Sequence, residues 1–122
     1  MSYINHKILG VPYSRLKSRG NKDGPKLWSK LIIKKTMDLP KIKEACALKV
    51  TFLLPANKYP TDFPYGPDLD NLLKRFLDGL NKTIFSETKG KDSCIVLLNV
   101  MKTKVKSDDE AGVHFEVLPV SI

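Results

Sequence analysis

The chain is organised around residues 66–81, which read Gly66-Pro67-Asp68-Leu69-Asp70-Asn71-Leu72-Leu73-Lys74-Arg75-Phe76-Leu77-Asp78-Gly79-Leu80-Asn81. Apolar residues recur in this stretch at the i, i+3, i+4, i+7 spacing of one helical face. Gly66-Pro67 marks the start of the helix, and Asp68 or Asp70 can cap it. Gly79 and Asn81 suit its end. The stretch therefore predicts an amphipathic helix with one buried face.

The polar face of this helix carries charges one turn apart. Asp70, Lys74 and Asp78 follow one another at i, i+4, i+8, and Asp68 lies two residues before Asp70. In the structural interpretation, the aspartates complement the N-terminal N–H groups, and Asp70 forms an i,i+4 ion pair with Lys74 worth only about 0.2–0.5 kcal/mol. Spacing alone favours this interpretation.

The same residues resemble the signature helix of the RusA family of Holliday junction resolvases. The family pattern D-x-D-N-x-x-K is matched by Asp68, Asp70, Asn71 and Lys74. A Phe-Asp-Ala-Leu-like segment follows in the family and is matched here by residues 76–80. An Asp-Asp-Ser/Ala-Gln motif that opens a strand comes next, at Lys91-Asp92-Ser93-Cys94. The resemblance covers mainly residues 66–104.

The resemblance implies a Mg²⁺-dependent endodeoxyribonuclease, with Mn²⁺ as an alternative metal, that acts on four-way DNA junctions as a homodimer. It places Asp68, Asp70 and Asp92 at the metal, with Asp92 at a strand start near the other two. It implies that Lys74 is required for catalysis. A metal held by carboxylates would polarise the scissile phosphate and generate the nucleophile.

The second motif departs from the family pattern. Lys91 stands where the family has its first Asp, and Cys94 stands where it has Gln. The loop over residues 82–91 is also longer than the usual spacer. This leaves the register of Asp92 open, with Glu87 as an acidic alternative.

Composition limits the classes of protein that fit. With 122 residues the chain predicts one domain over residues 1–122. A net charge of +8 favours an anionic partner, with nucleic acid ahead of an acidic membrane. No apolar run approaches the ~20 residues that span a bilayer, and the segment after Lys7 has no apolar stretch that predicts a secretory signal. Nucleotide-binding motifs are absent, so no small-molecule cofactor is predicted. Cys46 and Cys94 are read as reduced, buried thiols of a cytoplasmic protein.

Three basic groups are predicted to contact DNA phosphates. The first lies in a breaker-rich loop after Gly10-Val11-Pro12, an opening similar to that of many RusA-like proteins. The second lines one face of a helix predicted over residues 25–37, and the third shares one face of a strand. A solvated loop and solvated faces are the alternatives. The residues are Arg15, Lys17 and Arg19; Lys26, Lys30 and Lys34; and Lys102 and Lys104.

The whole pattern predicts a mixed α/β (α+β) fold in the order β-α-β-α-β-β, with about four strands and both helices on one side of the sheet. Residues 45–54 alternate as a strand with one buried face. Residues 94–104 are apolar on both faces as far as Met101. They predict a central strand covered on both sides, or one covered by a helix on one side and a partner chain on the other.

Three functions fit the sequence. The first is a metal-dependent endonuclease that nicks four-way junctions symmetrically, in DNA recombination and repair. The second is a related nuclease for other branched DNA. The third is a basic DNA-binding module without activity, in which Asp68 and Asp70 only cap a helix.

Overall fold

A computed structural model of the chain describes residues 3–13, 23–56 and 67–120. The elements run in the predicted order β-α-β-α-β-β, which confirms the mixed α/β class. Their bounds are β1 Ile4–Leu9, α1 Gly24–Thr36, β2 Cys46–Pro55, α2 Leu69–Leu80, β3 Ile95–Val105 and β4 Gly112–Pro119. The predicted DNA contacts Arg15, Lys17 and Arg19 lie outside the described residues.

The four strands form one mixed sheet in the order β1-β4-β2-β3. β4 is antiparallel to both β1 and β2, whereas β2 and β3 are parallel. Parallel neighbours need a crossover connection, and α2 lies in it. The N-terminal end of α2 is therefore near the end of β3, where Lys102 Nζ donates to the Pro67 carbonyl at 2.8 Å. The C-terminal end of α2 faces the start of β3.

The core lies between one face of the sheet and both helices. The inward residues of β2 are buried as predicted: Cys46, Leu48, Val50, Phe52 and Leu54. α1 contributes Trp28 and Ile32 to the same cluster, and α2 contributes its apolar face. The Phe76 ring packs edge-on against Phe115, with ring centroids 5.2 Å apart, and against Phe52 at 5.9 Å. This packing fixes α2 against the middle of the sheet.

Two contacts hold α2 against α1. Arg75 Nη1 donates to the Pro25 carbonyl at 3.0 Å and to Ser29 Oγ at 2.6 Å. Gly79 allows a close approach, because a Cβ built there would lie 2.7 Å from Cγ2 of the fully buried Ile32. In the described part of the chain, neither helix is long and apolar enough to cross a membrane.

β3 does not occupy the central position that its sequence predicts. β2 takes that place by pairing with both β3 and β4, and β3 lies at the edge. Four of its apolar side chains are 46–56% exposed: Val96, Leu97, Leu98 and Met101. The prediction of a central strand is wrong, because an apolar pattern on both faces does not distinguish a central strand from an uncovered edge strand. Cover by a partner chain stays a prediction.

Candidate active site

The N-terminal end of α2 presents two exposed carboxylates. Asp68 is the N-cap residue, with an extended backbone at φ −61° and ψ 138°, and its side chain makes no capping hydrogen bond. Asp70 lies in the first turn, where its Oδ1 accepts a 3.0 Å hydrogen bond from the Asn71 backbone N–H. The capping role that the structural interpretation assigns to Asp68 is therefore not seen. Both side chains keep oxygens that can bind a ligand.

Lys74 follows Asp70 by one helical turn and is exposed. Within the described ranges it forms no ion pair with Asp70 or with Asp78; the described ion pair joins other residues. The i,i+4 pair of the structural interpretation is thus not formed. An ammonium group that is not engaged on its own helix can contact an anion outside it.

Lys102 brings a second lysine to this end of the helix. Its bond to the Pro67 carbonyl places Nζ next to the residue that precedes Asp68. An ammonium group has three donors, and this bond uses one. Lys104, two residues further on, lies on the same face of β3 and is exposed. The structure thus places Lys102 beside the residue that precedes Asp68, and Lys104 further along the same strand face.

Asp92 lies at the opposite end of α2, in a 3-10 turn over Lys91–Cys94. Its Oδ2 accepts a 2.9 Å hydrogen bond from Asn81 Nδ2, and its backbone N–H donates to Asn81 Oδ1 at 3.1 Å. Asn81 is the C-cap residue of this 12-residue helix, so about 18 Å of helix separates the two carboxylate groups.

The expectation that Asp92 lies near Asp68 and Asp70 in one chain is therefore not met. The physical reason is the crossover: α2 runs back against the parallel strands, so a residue at the start of β3 meets the end of the helix. Among the residues that the structure describes, no group of three His, Cys, Asp or Glu side chains could hold a metal ion.

Glu87, the alternative to Asp92, does not complete the pair either. It follows α2 on the same side as Asp92, and its Oε1 lies 3.3 Å from Lys43 Nζ, with both side chains more than half exposed. An ion pair this exposed contributes little to stability.

The predicted lysine stripe of α1 is present. Lys26, Lys30 and Lys34 are all exposed, and they lie on the face opposite the buried Trp28. Like charges one turn apart repel slightly, so an anion along this face would be favoured. The stripe can follow a phosphate backbone without reading bases.

The two cysteines lie close together beside Asp92. Cys46 Sγ and Cys94 Sγ are 4.0 Å apart, and both thiols are free. Burial, with a smaller effect of Cys94, raises the pKa of Cys46 to about 12. The Cys46 thiol is therefore neutral across the physiological range.

Hard oxygen donors are what a divalent cation such as Mg²⁺ requires; Asp68 and Asp70 carry such oxygens at one end of α2, whereas Asp92 carries them at the other. The sequence identifies Asn81, which contacts Asp92 in the structure, only as the residue that ends the helix. The one signal for its role is its position just before the loop that returns the chain to Asp92.

A protein-family model described as Endodeoxyribonuclease RusA matches residues 26–117, which is most of the chain. A search of curated proteins finds no match. The matched range includes most of α1, all of α2 and the turn that carries Asp92.

Proposed function

The chain belongs to the RusA family of endodeoxyribonucleases, and from this premise we propose that it resolves four-way DNA junctions by paired, metal-dependent nicks in symmetry-related strands. The family shows an enzyme that hydrolyses phosphodiester bonds in branched DNA. The observation that carries the finer proposal is the N-terminal end of α2. Asp68 and Asp70 are exposed there, and Lys74 forms no pair with its helix neighbours.

We assign the metal to Asp68, Asp70 and Asp92, with Mg²⁺ as the ion and Mn²⁺ as the alternative. When bound, such an ion acts as a Lewis acid on the phosphate and lowers the pKa of a bound water. The carboxylates hold it through oxygen ligands. Lys74 is placed to stabilise the charge that develops on the phosphate oxygens. Lys102 and the lysines of α1 hold the DNA backbone.

A homodimer could bring an Asp92 carboxylate close to Asp68 and Asp70, which lie far from it within one chain. Within one chain the length of α2 keeps them apart. In a two-fold dimer, Asp92 of the partner subunit can approach Asp68 and Asp70, and the symmetry creates two such sites. Two sites related by a two-fold axis match the two strands that a junction resolvase must cut. The exposed apolar side chains of β3 are the surface we assign to this contact.

Mixing two inactive variants tests the whole proposal. Asp70→Asn and Asp92→Asn should each abolish cleavage of a synthetic junction. If each site takes its carboxylates from both chains, an Asp70→Asn/Asp92→Asn heterodimer contains one intact site and one doubly altered site. An equal mixture should therefore regain about a quarter of the wild-type nicking sites, as single nicks.

The control mixture pairs Asp70→Asn with Asp68→Asn, which alter the same end of the helix and should not restore activity. If the Asp70→Asn and Asp92→Asn mixture stays inactive although light scattering shows a dimer, the shared site is excluded. A protein that stays monomeric with junction DNA is not resolving junctions by paired nicks.

The replacements at Lys91 and Cys94 favour one second candidate, a junction-binding protein without cleavage. That candidate predicts tight, salt-sensitive junction binding and no nick with any divalent metal. Wild-type protein incubated with junction and either Mg²⁺ or Mn²⁺ separates the two functions directly.

A further inference from the structure

The two cysteines of the chain meet where β2 and β3 begin. Cys46 is the first residue of β2, and Cys94 is the last residue of the turn before β3, next to Ile95, which pairs with Cys46. The two sulfurs lie 4.0 Å apart, although 48 positions separate the residues in sequence. A disulfide bond is about 2.05 Å long, so the sulfurs need to approach by about 2 Å to form one. The 122 residues contain no third cysteine, so neither thiol has a competing partner within the chain.

The backbone around the two thiols is the least regular part of the β2–β3 pairing. The register shifts between Cys46 and Ala47, because Ala47 pairs with Leu97 and leaves Val96 as an extra residue. At such a bulge the ladder of hydrogen bonds is interrupted and the strand bends. Cys94 precedes the ladder altogether. The sulfurs can therefore move together at this end of the sheet without a change in the regular pairing that follows it.

The two thiols differ in their access to solvent. The sequence predicts that both are buried, and the structure corrects this for Cys94, which is partly exposed, whereas Cys46 is fully buried in the core. Burial also raises the pKa of the Cys46 thiol. A reagent in solution therefore reacts with Cys94 first. The Cys46 sulfur then lies close to the modified Cys94, at the high effective concentration of a group held next to its reaction partner.

We propose that Cys46 and Cys94 form a thiol pair that a low-molecular-weight disulfide, such as oxidised glutathione, converts to an intramolecular disulfide. The Cys94 sulfur attacks the small disulfide, loses its proton to solvent and forms a mixed disulfide, while one small thiol leaves. The Cys46 sulfur then attacks the Cys94 sulfur, and the second small thiol leaves with the proton of Cys46. Two protein thiols are oxidised and one small disulfide is reduced to two thiols. The crosslink ties the edge strand β3 to β2 and closes a loop that contains α2.

Wild-type protein equilibrated with mixtures of reduced and oxidised glutathione tests the proposal. We expect the oxidised protein to lose the mass of two hydrogen atoms, to contain no free thiol and to form no covalent dimer on a non-reducing gel. Its melting temperature should exceed that of the reduced protein by roughly 5–20 °C, because the crosslink restricts the unfolded chain, and dithiothreitol should reverse the shift. Two thiols that stay free in excess oxidised glutathione, a lasting mixed disulfide or a covalent dimer would each overturn the proposal. A disulfide form with an unchanged melting temperature would overturn the tie between β3 and β2.

Two single variants separate the roles of the two sulfurs. Cys94→Ser keeps the buried thiol, which should stay free in oxidised glutathione, with the same melting temperature in both buffers. Cys46→Ala keeps the accessible thiol and should stop at the mixed disulfide, with the added mass of one glutathione. If Cys46→Ala does not fold, Cys46→Val takes its place, because valine fills more of the buried volume. Oxidation of Cys94→Ser as readily as wild type, or a Cys46 variant that resists glutathione, would overturn the proposed exchange. None of these measurements uses DNA cleavage, so their outcome is independent of the proposed function.

Discussion

The two ends of α2 hold their carboxylates in different ways. At the N-terminal end, Asp68 and Asp70 are exposed, and within residues 3–13, 23–56 and 67–120 no other side chain bonds to them. At the C-terminal end, Asp92 is half-buried and forms two hydrogen bonds with Asn81: its Oδ2 accepts from Nδ2, and its backbone N–H donates to Oδ1. Beyond Asn81 the chain makes a dense series of side-chain bonds to the backbone, which includes Lys41 Nζ to the Thr83 carbonyl at 2.9 Å.

The N-terminal end of α2 therefore offers charged side chains that can move, whereas the C-terminal end offers a carboxylate whose orientation is fixed. Side chains that are not held can adjust to a metal or a phosphate, but they lose conformational entropy when they do so. A carboxylate that is already oriented loses less, and it contributes more to affinity for the same ligand. We therefore expect substitutions at the N-terminal end of α2 to alter DNA cleavage and leave folding intact. Substitutions at the C-terminal end should alter folding or metal affinity.

The largest effect is expected for Asp70→Asn. Loss of a metal-binding carboxylate should lower the single-turnover rate by more than about 100-fold, the upper range for residues that only support a ligand. Because Asp70 is exposed, the free energy of unfolding should change by less than about 0.5 kcal/mol. Asp78→Asn, two turns further along α2 and equally exposed, is the control and should cut normally. If Asp70→Asn cuts nearly as fast as wild type, the N-terminal end of α2 is not part of the active site.

Lys74→Ala should come next. Removal of a contact made mainly in the transition state lowers the rate by roughly 100-fold with little change in junction affinity. The melting temperature should not move, since Lys74 forms no ion pair with Asp70 or Asp78 in the described structure. Lys35→Ala, which removes an exposed lysine of α1 outside the stripe, is the matched control. A normal cleavage rate for Lys74→Ala would show that this lysine has no role in catalysis.

Thr83→Val tests the other end of the comparison. Thr83 is 2% exposed, and its Oγ1 lies 2.7 Å from Oγ1 of the buried Thr36. Loss of this bond should lower the free energy of unfolding by about 1 kcal/mol. Urea unfolding measures that loss, and the cleavage rate of the folded variant should equal that of wild type. A reduced rate at full stability would mean that this end takes part in catalysis beyond holding Asp92.

The smallest effect belongs to α1. Lys30→Ala should weaken junction binding a few-fold, equally for all sequences, and reduce the slope of log affinity against log salt by about 1. Binding measured between 50 and 200 mM salt, roughly the range over which phosphate contacts are lost, checks this prediction. An unchanged slope would mean that the stripe is solvated and that DNA lies elsewhere.

The sequence predicts most of the fold because periodicity is local. The alternation in β2 and the helical repeat in α2 both appear in the structure where the pattern puts them. The edge position of β3 could not be predicted in this way. An apolar side chain at Leu97 fits a central strand or an uncovered edge equally well, and which neighbour pairs with β3 depends on contacts distant in sequence.

The candidate site also has one part that local spacing predicts and one part that depends on contacts distant in sequence. Asp68, Asp70 and Lys74 lie within one helix, so their spacing fixes their relation. The position of Asp92 relative to α2 depends on the direction in which the crossover returns. The order of the motifs along the chain does not reveal that direction. The sequence does not identify Asn81 as a partner of Asp92 for the same reason, since the ten residues 82–91 lie between them.

The contact at Gly79 limits how this sequence can vary. The family segment has alanine at the position that Gly79 occupies, and here the missing methyl is replaced by Cγ2 of Ile32 on the facing helix. The two positions share one volume, so they should vary together in descendants of this gene. Gly79→Ala alone forces the helices apart, whereas Gly79→Ala with Ile32→Leu removes the Cγ2 branch that the new methyl group would meet. A laboratory lineage that acquires the alanine first is expected to acquire a residue without a branch at Cβ on α1 as its compensating change.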